Sequence, residues 1–411
     1  MGDFEKIMNT GWDQETSDDS HAENDIDTAA STQVPEAKSP IESDGDAAES
    51  LSAPTGSQTH HRFQSVATPE ASSSNTPASD VKLGKGLDVG TANLVSAVQN
   101  DAGGITISKE RNAFIDIQSD VYSKRMLTQL KVPYVMFNDK MVVLGDAAFE
   151  LSNIFGRETR RPMKDGLISP DEVDALPMIR LIIEKVLGHP QADGERCYFS
   201  VPAESVDKRN NVIYHQGLFE GLLRKMGYQP KALNEGHAVV FSELAEQDFT
   251  GIGISFGGGM VNVCVCYKTI PAVSFSIARG GDWIDGNVAN VLGINATKAA
   301  FLKEQGVDLT DPQNREEEAI VIYYRNLINY VLQNIKAKFE AASEVPEFRD
   351  PIEIVCSGGT SMIQGFEEVF RDELSNMNFP LDIRGVRRAA EPLTSVAKGC
   401  LIAAAIGDEE A

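Results

Sequence analysis

The sequence predicts an α/β fold of two similar lobes with a duplicated mixed-sheet core, preceded by a disordered acidic N-terminal tail. Three observations predict it. A strand–glycine-turn–strand unit occurs twice, over Asp88–Asn93 and Ser255–Val261. Each unit heads a stretch in which strand-like and helix-like periodicities alternate. The composition also changes abruptly near Lys82, where apolar residues begin to recur. The expected boundaries are 1–80 for the tail, 81–248 for the first lobe and 249–385 for the second, with a C-terminal helix in 386–411 completing the first.

The elements follow in order. The tail is Ser, Thr, Ala, Asp, Glu and Pro with 16 acidic and 3 basic residues, and has too little to bury to offset its ordering entropy. Phe4, Ile7, Met8 and Trp12 near its start read either as stray apolar residues or as a short helix that docks on a protein partner. LGKGLDVGTANLVSAVQN then reads as a β-hairpin, with further strands around KVPYVMF and KMVVLGD. DEVDALPMIRLIIEKVLG has helical spacing, CYFSVPA is a short strand, and KRNNVIYHQGLFEGLLRKMG and GHAVVFSELAEQ are helices. The pattern restarts with GIGISFGGGMVNVCVCYK and the strand AVSFSIA. Helices occupy the stretch from Asp282 to about Ala342, the longest being REEEAIVIYYRNLINYVLQNIKAKFEAA. The strand PIEIVCSGG leads into a helix over TSMIQGFEEVFRDELSN, and PLTSVAKGCLIAAAIG reads as a last amphipathic helix.

At 411 residues and 42% hydrophobic content the chain can bury a sizeable core. The net charge of −24 repels nucleic acid and anionic lipid, so neither is expected as a direct partner. The same acidity fits a mildly halophilic or marine source. The five cysteines (Cys197, Cys264, Cys266, Cys356, Cys400) show no metal-ligand spacing, and Cys264 and Cys266 alternate along an apolar strand as core residues do. No signal peptide opens the chain and no apolar run approaches the ~20 residues that span a bilayer. A cytoplasmic protein is expected.

The glycine turns carry the chemistry. A hairpin tip of small residues exposes backbone N–H groups in a nest that binds phosphate oxygens. In the first turn Gly90 permits close approach and the Thr91 hydroxyl can donate, while Asp88 on the preceding strand suits a hydrated Mg²⁺. The second turn has three consecutive glycines, Gly257, Gly258 and Gly259. The third places Gly358 and Gly359 after a strand, with Thr360 expected to cap the following helix. Taken singly, such a tip is ordinary hairpin geometry. Three of them, each after an apolar strand and spread over two halves, point to a phosphate-binding cleft. The absence of GxxxxGK[ST] excludes a Walker-type site, and no GxGxxG points to a dinucleotide fold.

In this order the motifs resemble the actin, sugar-kinase and heat-shock-chaperone ATPase superfamily, and more narrowly the prokaryotic actins of the MreB and MamK type. GLDVGTANL resembles the first phosphate loop and RPMKDGLISPDEVDALPMIRLII the segment that leads into the first long helix. LNEGHAVVFSE resembles the connecting helix, SFGGGMVNV the second phosphate loop, and RGGDWID the segment after it. CSGGTSMIQGF resembles the adenosine loop and EPLTSVAKG the C-terminal helix. The resemblance runs from about Lys82 to the end. It implies an actin-like ATPase fold, ATP or GTP with Mg²⁺, and self-assembly into filaments. Asp88 would then be the Mg²⁺ carboxylate, with Gly90, Thr91, Ala92 and Asn93 around the phosphates and Gly257–Gly259 opposite. Glu235 would orient the attacking water, a task a carboxylate suits; without the resemblance it reads as a solvated helix-start residue. Gly358, Gly359 and Thr360 would lie beside the sugar and α-phosphate. Lys303 falls in the helix that frames the adenine, or is simply a surface lysine.

The chain departs from the resemblance at three places. Ser255 stands where the second loop usually has an Mg²⁺-holding aspartate, Met260 and Val261 replace phosphate-binding threonines, and Gly236 replaces a proline. Serine supplies no charge to the metal, so a weak ATPase at best is expected. The leading expectation is a nucleotide-dependent filament. The alternative is a non-polymerising nucleotide-binding scaffold whose tail recruits partners. A small-molecule kinase and a chaperone fit less well, because no sugar-binding loop separates the two phosphate turns and no substrate-binding domain follows. No basic or strongly apolar N-terminal helix supports direct membrane attachment.

Overall fold

The computed structural model describes residues 84–406 apart from 101, 156, 210 and 342–347. The chain divides into units of 1–79 and 80–411, and every described residue lies in the second. The expected disordered tail and its Phe4–Trp12 motif therefore lie outside the described residues.

The first half builds one five-stranded sheet. β1 (Lys85–Val89) turns at Gly90 into β2 (Asn93–Gln99), in antiparallel register Lys85↔Val98 to Val89↔Leu94. β3 (Ile105–Arg111) continues the meander. A small sheet follows, of β4 (Phe114–Gln118), β5 (Val135–Phe137) and β6 (Lys140–Leu144), with helices α1 (Val121–Gln129) and α2 (Asp146–Phe155). A two-residue hairpin, β7 (Met163–Lys164) and β8 (Leu167–Ile168), precedes α3 (Ala175–Leu187). Chain then returns to the first sheet as β9 (Glu195–Val201), α4 (Val212–Lys225) and β10 (Tyr228–Asn234), giving the order β10-β9-β1-β2-β3.

The second half repeats the plan. After α5 (Glu235–Glu243), the meander β11 (Gly251–Phe256), β12 (Val261–Tyr267) and β13 (Ile270–Ile277) forms the second sheet. Helices α6 (Gly281–Leu292), α7 (Ala296–Glu304) and α8 (Arg315–Ala341) cover it. β14 (Ile352–Ser357), α9 (Phe366–Ser375) and β15 (Ile383–Arg388) complete the order β13-β12-β11-β14-β15. In both sheets the first hairpin strand pairs in parallel with a later strand, β1 with β9 and β11 with β14. The duplication read from the glycine turns is thus a duplication of topology: two mixed-sheet lobes, each a meander extended by two parallel strands.

Two expectations are corrected here. The helix expected to start at Thr360 starts at Phe366, because Gly365 takes a left-handed conformation that breaks the chain direction. A separate short 3-10 turn spans Gly359–Met362, so Thr360 does not cap the helix. The C-terminal helix α10 (Ser395–Ile406) is buried on nearly every face rather than amphipathic, as its Ala, Gly and Cys content permits. It packs against α5 and against β1, β2 and β9. Close backbone approach fixes these contacts: a Cβ on Gly236 would fall 2.6 Å from Cys264 N, so the start of α5 rests directly on β12. All five cysteines are buried and unbridged, as core residues.

Candidate functional site

The three glycine turns converge. The first is held from outside by Asn112, whose Nδ2 donates to Gly90 O at 3.0 Å and whose N–H donates to Ala92 O at 3.0 Å. The second is held by the start of α6, where Gly281 N–H donates to Gly257 O (3.0 Å) and Asp282 N–H to Gly258 O (2.8 Å). Thr360 from the third turn also donates its hydroxyl to Gly257 O, at 2.9 Å. Tying carbonyls back to outside donors is what an anion nest requires, since a carbonyl facing a phosphate would repel it. The first two turns face each other closely: a Cβ built on Gly258 would stand 3.7 Å from the Ala92 Cβ, and one on Gly259 2.9 Å from Thr91 Oγ1.

The β7–β8 hairpin closes one side. Gly166 N–H donates to Thr91 Oγ1 at 3.0 Å, leaving the hydroxyl proton free to donate elsewhere. A Cβ on Gly166, whose φ is +78°, would lie 2.2 Å from Met260 Sδ, so Met260 packs on this tip instead of offering a hydroxyl. Arg161, just before the hairpin, reaches Asp282 at 3.5 Å from the other half of the chain.

Two carboxylates lie at the floor. Asp88 accepts from Ser200 Oγ at 2.8 Å, and Ser200 in turn accepts the Val89 N–H at 2.8 Å, which fixes the rotamer at the end of β1. Burial pushes Asp88 up to about 6. Glu235 begins α5, where Asn234 caps the helix by accepting His237 N–H at 3.2 Å. Burial and then the charge of Asp88 push Glu235 up to about 8, while the side chains of Ser255 and Asn262 oppose the rise. It is therefore a partly buried carboxyl facing Asp88, not a solvated helix-start residue. Ser255 and Asn262 are directly opposed in the β11–β12 register and are buried.

Lys303 is not a surface lysine. Its side chain is 13% exposed, paired with Asp285 at 2.7 Å, and it donates to Gly281 O at 3.4 Å. A Cβ on Gly281 would meet both Thr360 Oγ1 (2.8 Å) and Lys303 Nζ (3.3 Å), which places Lys303 beside the third turn. Asn93, at the start of β2, lies behind the first turn, its carbonyl accepting the Gly90 N–H at 3.1 Å, and Gly359 opens the 3-10 turn. Of the residues chosen from sequence, all reach this one region. Those missed are the supports: Ser200, Asn112, Asn262, Asp282 and Asp285. The signal for two of them was present, a lone polar residue in each of the apolar runs CYFSV and VNVCV.

Among the described residues no cluster of three or more His, Cys, Asp or Glu could hold a metal by protein ligands alone. That donor set suits Mg²⁺ only in its hydrated, phosphate-bound form, which needs one or two carboxylates. Asp88 meets that requirement.

Two mixed-sheet lobes, each led by a glycine-turn hairpin, define an actin-like fold. The chain belongs to the Volactin family, whose sequence model matches residues 83–404. No curated protein matches it. Among solved structures it is similar to a MamK double helical filament, at 20% identity and a TM-score of 0.61, covering 80% of this chain and 99% of that one. It is also similar to MreB5 of Spiroplasma citri bound to AMPPNP, at 15% identity and a TM-score of 0.56, and bound to ADP, at 16% and 0.55. Each of these covers 78% of this chain and 95% of MreB5. At such identities the likeness establishes the fold.

Proposed function

We propose that this chain binds ATP or GTP with Mg²⁺ between its two lobes and assembles with copies of itself into cytoplasmic filaments that serve cell shape or intracellular positioning. The observation that supports this reading is the convergence of the three glycine turns on a floor of two opposed carboxyls. In this reading Gly90–Asn93 and Gly257–Gly259 hold the phosphates through backbone N–H groups, with Thr91 adding a hydroxyl. Asp88 would hold a hydrated Mg²⁺, whose charge would offset that of the phosphates. Gly358–Thr360 and Lys303 line the sugar and base side, and Glu235 orients the attacking water. The fold-level likeness to a solved filament and to nucleotide-bound MreB5 supports it by analogy.

Hydrolysis is expected to be slow, because Ser255 adds no charge for the metal and Met260 no hydroxyl for the phosphate. The same departures favour a second reading, a non-polymerising nucleotide-binding scaffold whose tail recruits a protein partner. Sedimentation with and without ATP–Mg²⁺ separates the two. Nucleotide-dependent pelleting is expected; a chain that stays in the supernatant under every nucleotide condition contradicts the filament reading and leaves the scaffold.

A further inference from the structure

Asn262 is wholly buried on β12, yet half of its amide is unused. Its Oδ1 accepts the Ala203 N–H at 3.1 Å, which also fixes which end of the amide is oxygen, since only oxygen can accept there. Ala203 belongs to the stretch after β9 that leaves the first sheet and runs along the edge of the second. There Ser276 Oγ donates to Ala203 O at 2.8 Å, Val206 N–H to Ser276 O at 2.9 Å, and Ser276 N–H to Glu204 O at 2.9 Å. Oδ1 is thus engaged by the β9–α4 loop of the first lobe, which lies along the edge of the second sheet. The other end, Nδ2, is buried without a hydrogen-bond partner. Buried donors are rarely left so, and one that is left so points to a group it serves. The neighbours on that side are Ser255, opposite in the register, and the Glu235 carboxyl.

We propose that Asn262 is the positioning residue for Glu235, holding that carboxylate through Nδ2 while Oδ1 ties the same amide to the β9–α4 loop of the first lobe. This rests on the reading in which Glu235 orients water against a bound nucleotide. Ser255 supplies a second donor from the adjacent strand, so the second sheet offers Glu235 two neutral donors where a carboxylate at position 255 would repel it. The orientation of Glu235 then depends on the Ala203 contact, and so on how the lobes meet.

The test uses the full chain with Asn262→Asp, Asn262→Ala, Glu235→Gln and the double variants Asn262→Asp/Glu235→Gln and Asn262→Ala/Glu235→Gln. Asn262→Asp keeps the acceptor for Ala203 but replaces the donor by a carboxylate that repels Glu235, whereas Asn262→Ala removes the amide without adding charge, so a kcat loss common to both variants reports the lost donor. The phosphate-release kcat is expected to fall about ten-fold or more in Asn262→Asp and Asn262→Ala, with KM and the Kd of a fluorescent ATP analogue within about two-fold. Asn262→Ala in the Glu235→Gln background is expected to lower kcat no further, and the Asp/Gln pair, with donor and acceptor exchanged, to regain the thermal midpoint lost in Asn262→Asp. Unchanged kcat in both Asn262 single variants, multiplying kcat losses, or additive midpoint shifts would each overturn the proposal. Analogue binding without phosphate release in the wild-type chain overturns it too, because Glu235 then has no water to orient. Failure of the wild-type chain to bind the analogue overturns the nucleotide reading instead, and the thermal cycle still decides whether Asn262 and Glu235 interact.

Discussion

At Ser255 a single side chain separates this cleft from one with a third acid. The residue is 3% exposed and lies against Glu235, whose carboxyl burial and Asp88 already hold high. Ser255→Asp therefore adds a like charge to a crowded, partly desolvated pair. The variant is expected to lose about 1–3 kcal/mol of stability without ligand and to recover much of it with ATP–Mg²⁺. Thermal melts with and without nucleotide measure both; a loss that Mg²⁺–nucleotide does not relieve would show that the new acid does not face the metal. His215 gives an independent pH signature. It is buried on α4, accepts the Ile168 N–H at Nδ1 (3.2 Å), and is pulled down to about 4 by burial. The unfolded chain takes up this proton first, so stability from the neutral imidazole is complete above the ordinary value near 6.5 and is lost as pH falls towards 4. The loss attributable to this group is about 3 kcal/mol. In chemical denaturation, His215→Leu should flatten that segment of the stability profile; an unchanged slope would assign it to other groups.

Among the elements, α5 shows how a departure from the resemblance is explained by packing. Gly236 sits where a proline was expected, and the reason is close contact: its Cβ would fall 2.6 Å from Cys264 N and 2.8 Å from the Val263 carbonyl carbon. Gly236→Pro or Gly236→Ala must push the helix off β12, and Glu235 with it. An expected cost of about 1–3 kcal/mol and weaker nucleotide binding follow; a neutral Gly236→Ala melt would mean the helix has room to shift. The paired glycine turns and most of the central strands were legible because apolar runs end in unmistakable tips. The parallel strands β10 and β15 were not. YQPKALN carries a proline and a lysine and IRGVRR a glycine and three arginines, the composition of edge strands, which hides their alternation. The last helix, expected over 392–407 and found at Ser395–Ile406, was expected amphipathic, since Ala and Gly leave little period by which burial shows in the sequence. The floor of the cleft was half legible: Asp88 and Glu235 stood out, whereas Ser200 and Asn262 are ordinary polar residues whose use depends on which strand lies beside them.

In the molecule as a whole, the proposed site lies where the two lobes meet. Asp88 and the first turn come from one sheet, Gly257–Thr360 from the other, and Arg161–Asp282 and Asn262–Ala203 span the gap. In the proposed reading, closure around a nucleotide would carry the binding event to surfaces distant from the cleft, and filament assembly is what such a change would control. The central claim is that these three turns form one nucleotide site, and calorimetric titration of AMPPNP with Mg²⁺ tests it most directly. The account predicts saturable one-to-one binding that weakens about ten-fold or more in each of Asp88→Ala, Gly258→Val and Gly359→Val. Saturable binding that survives all three substitutions, or no binding to the folded wild-type chain, would contradict it.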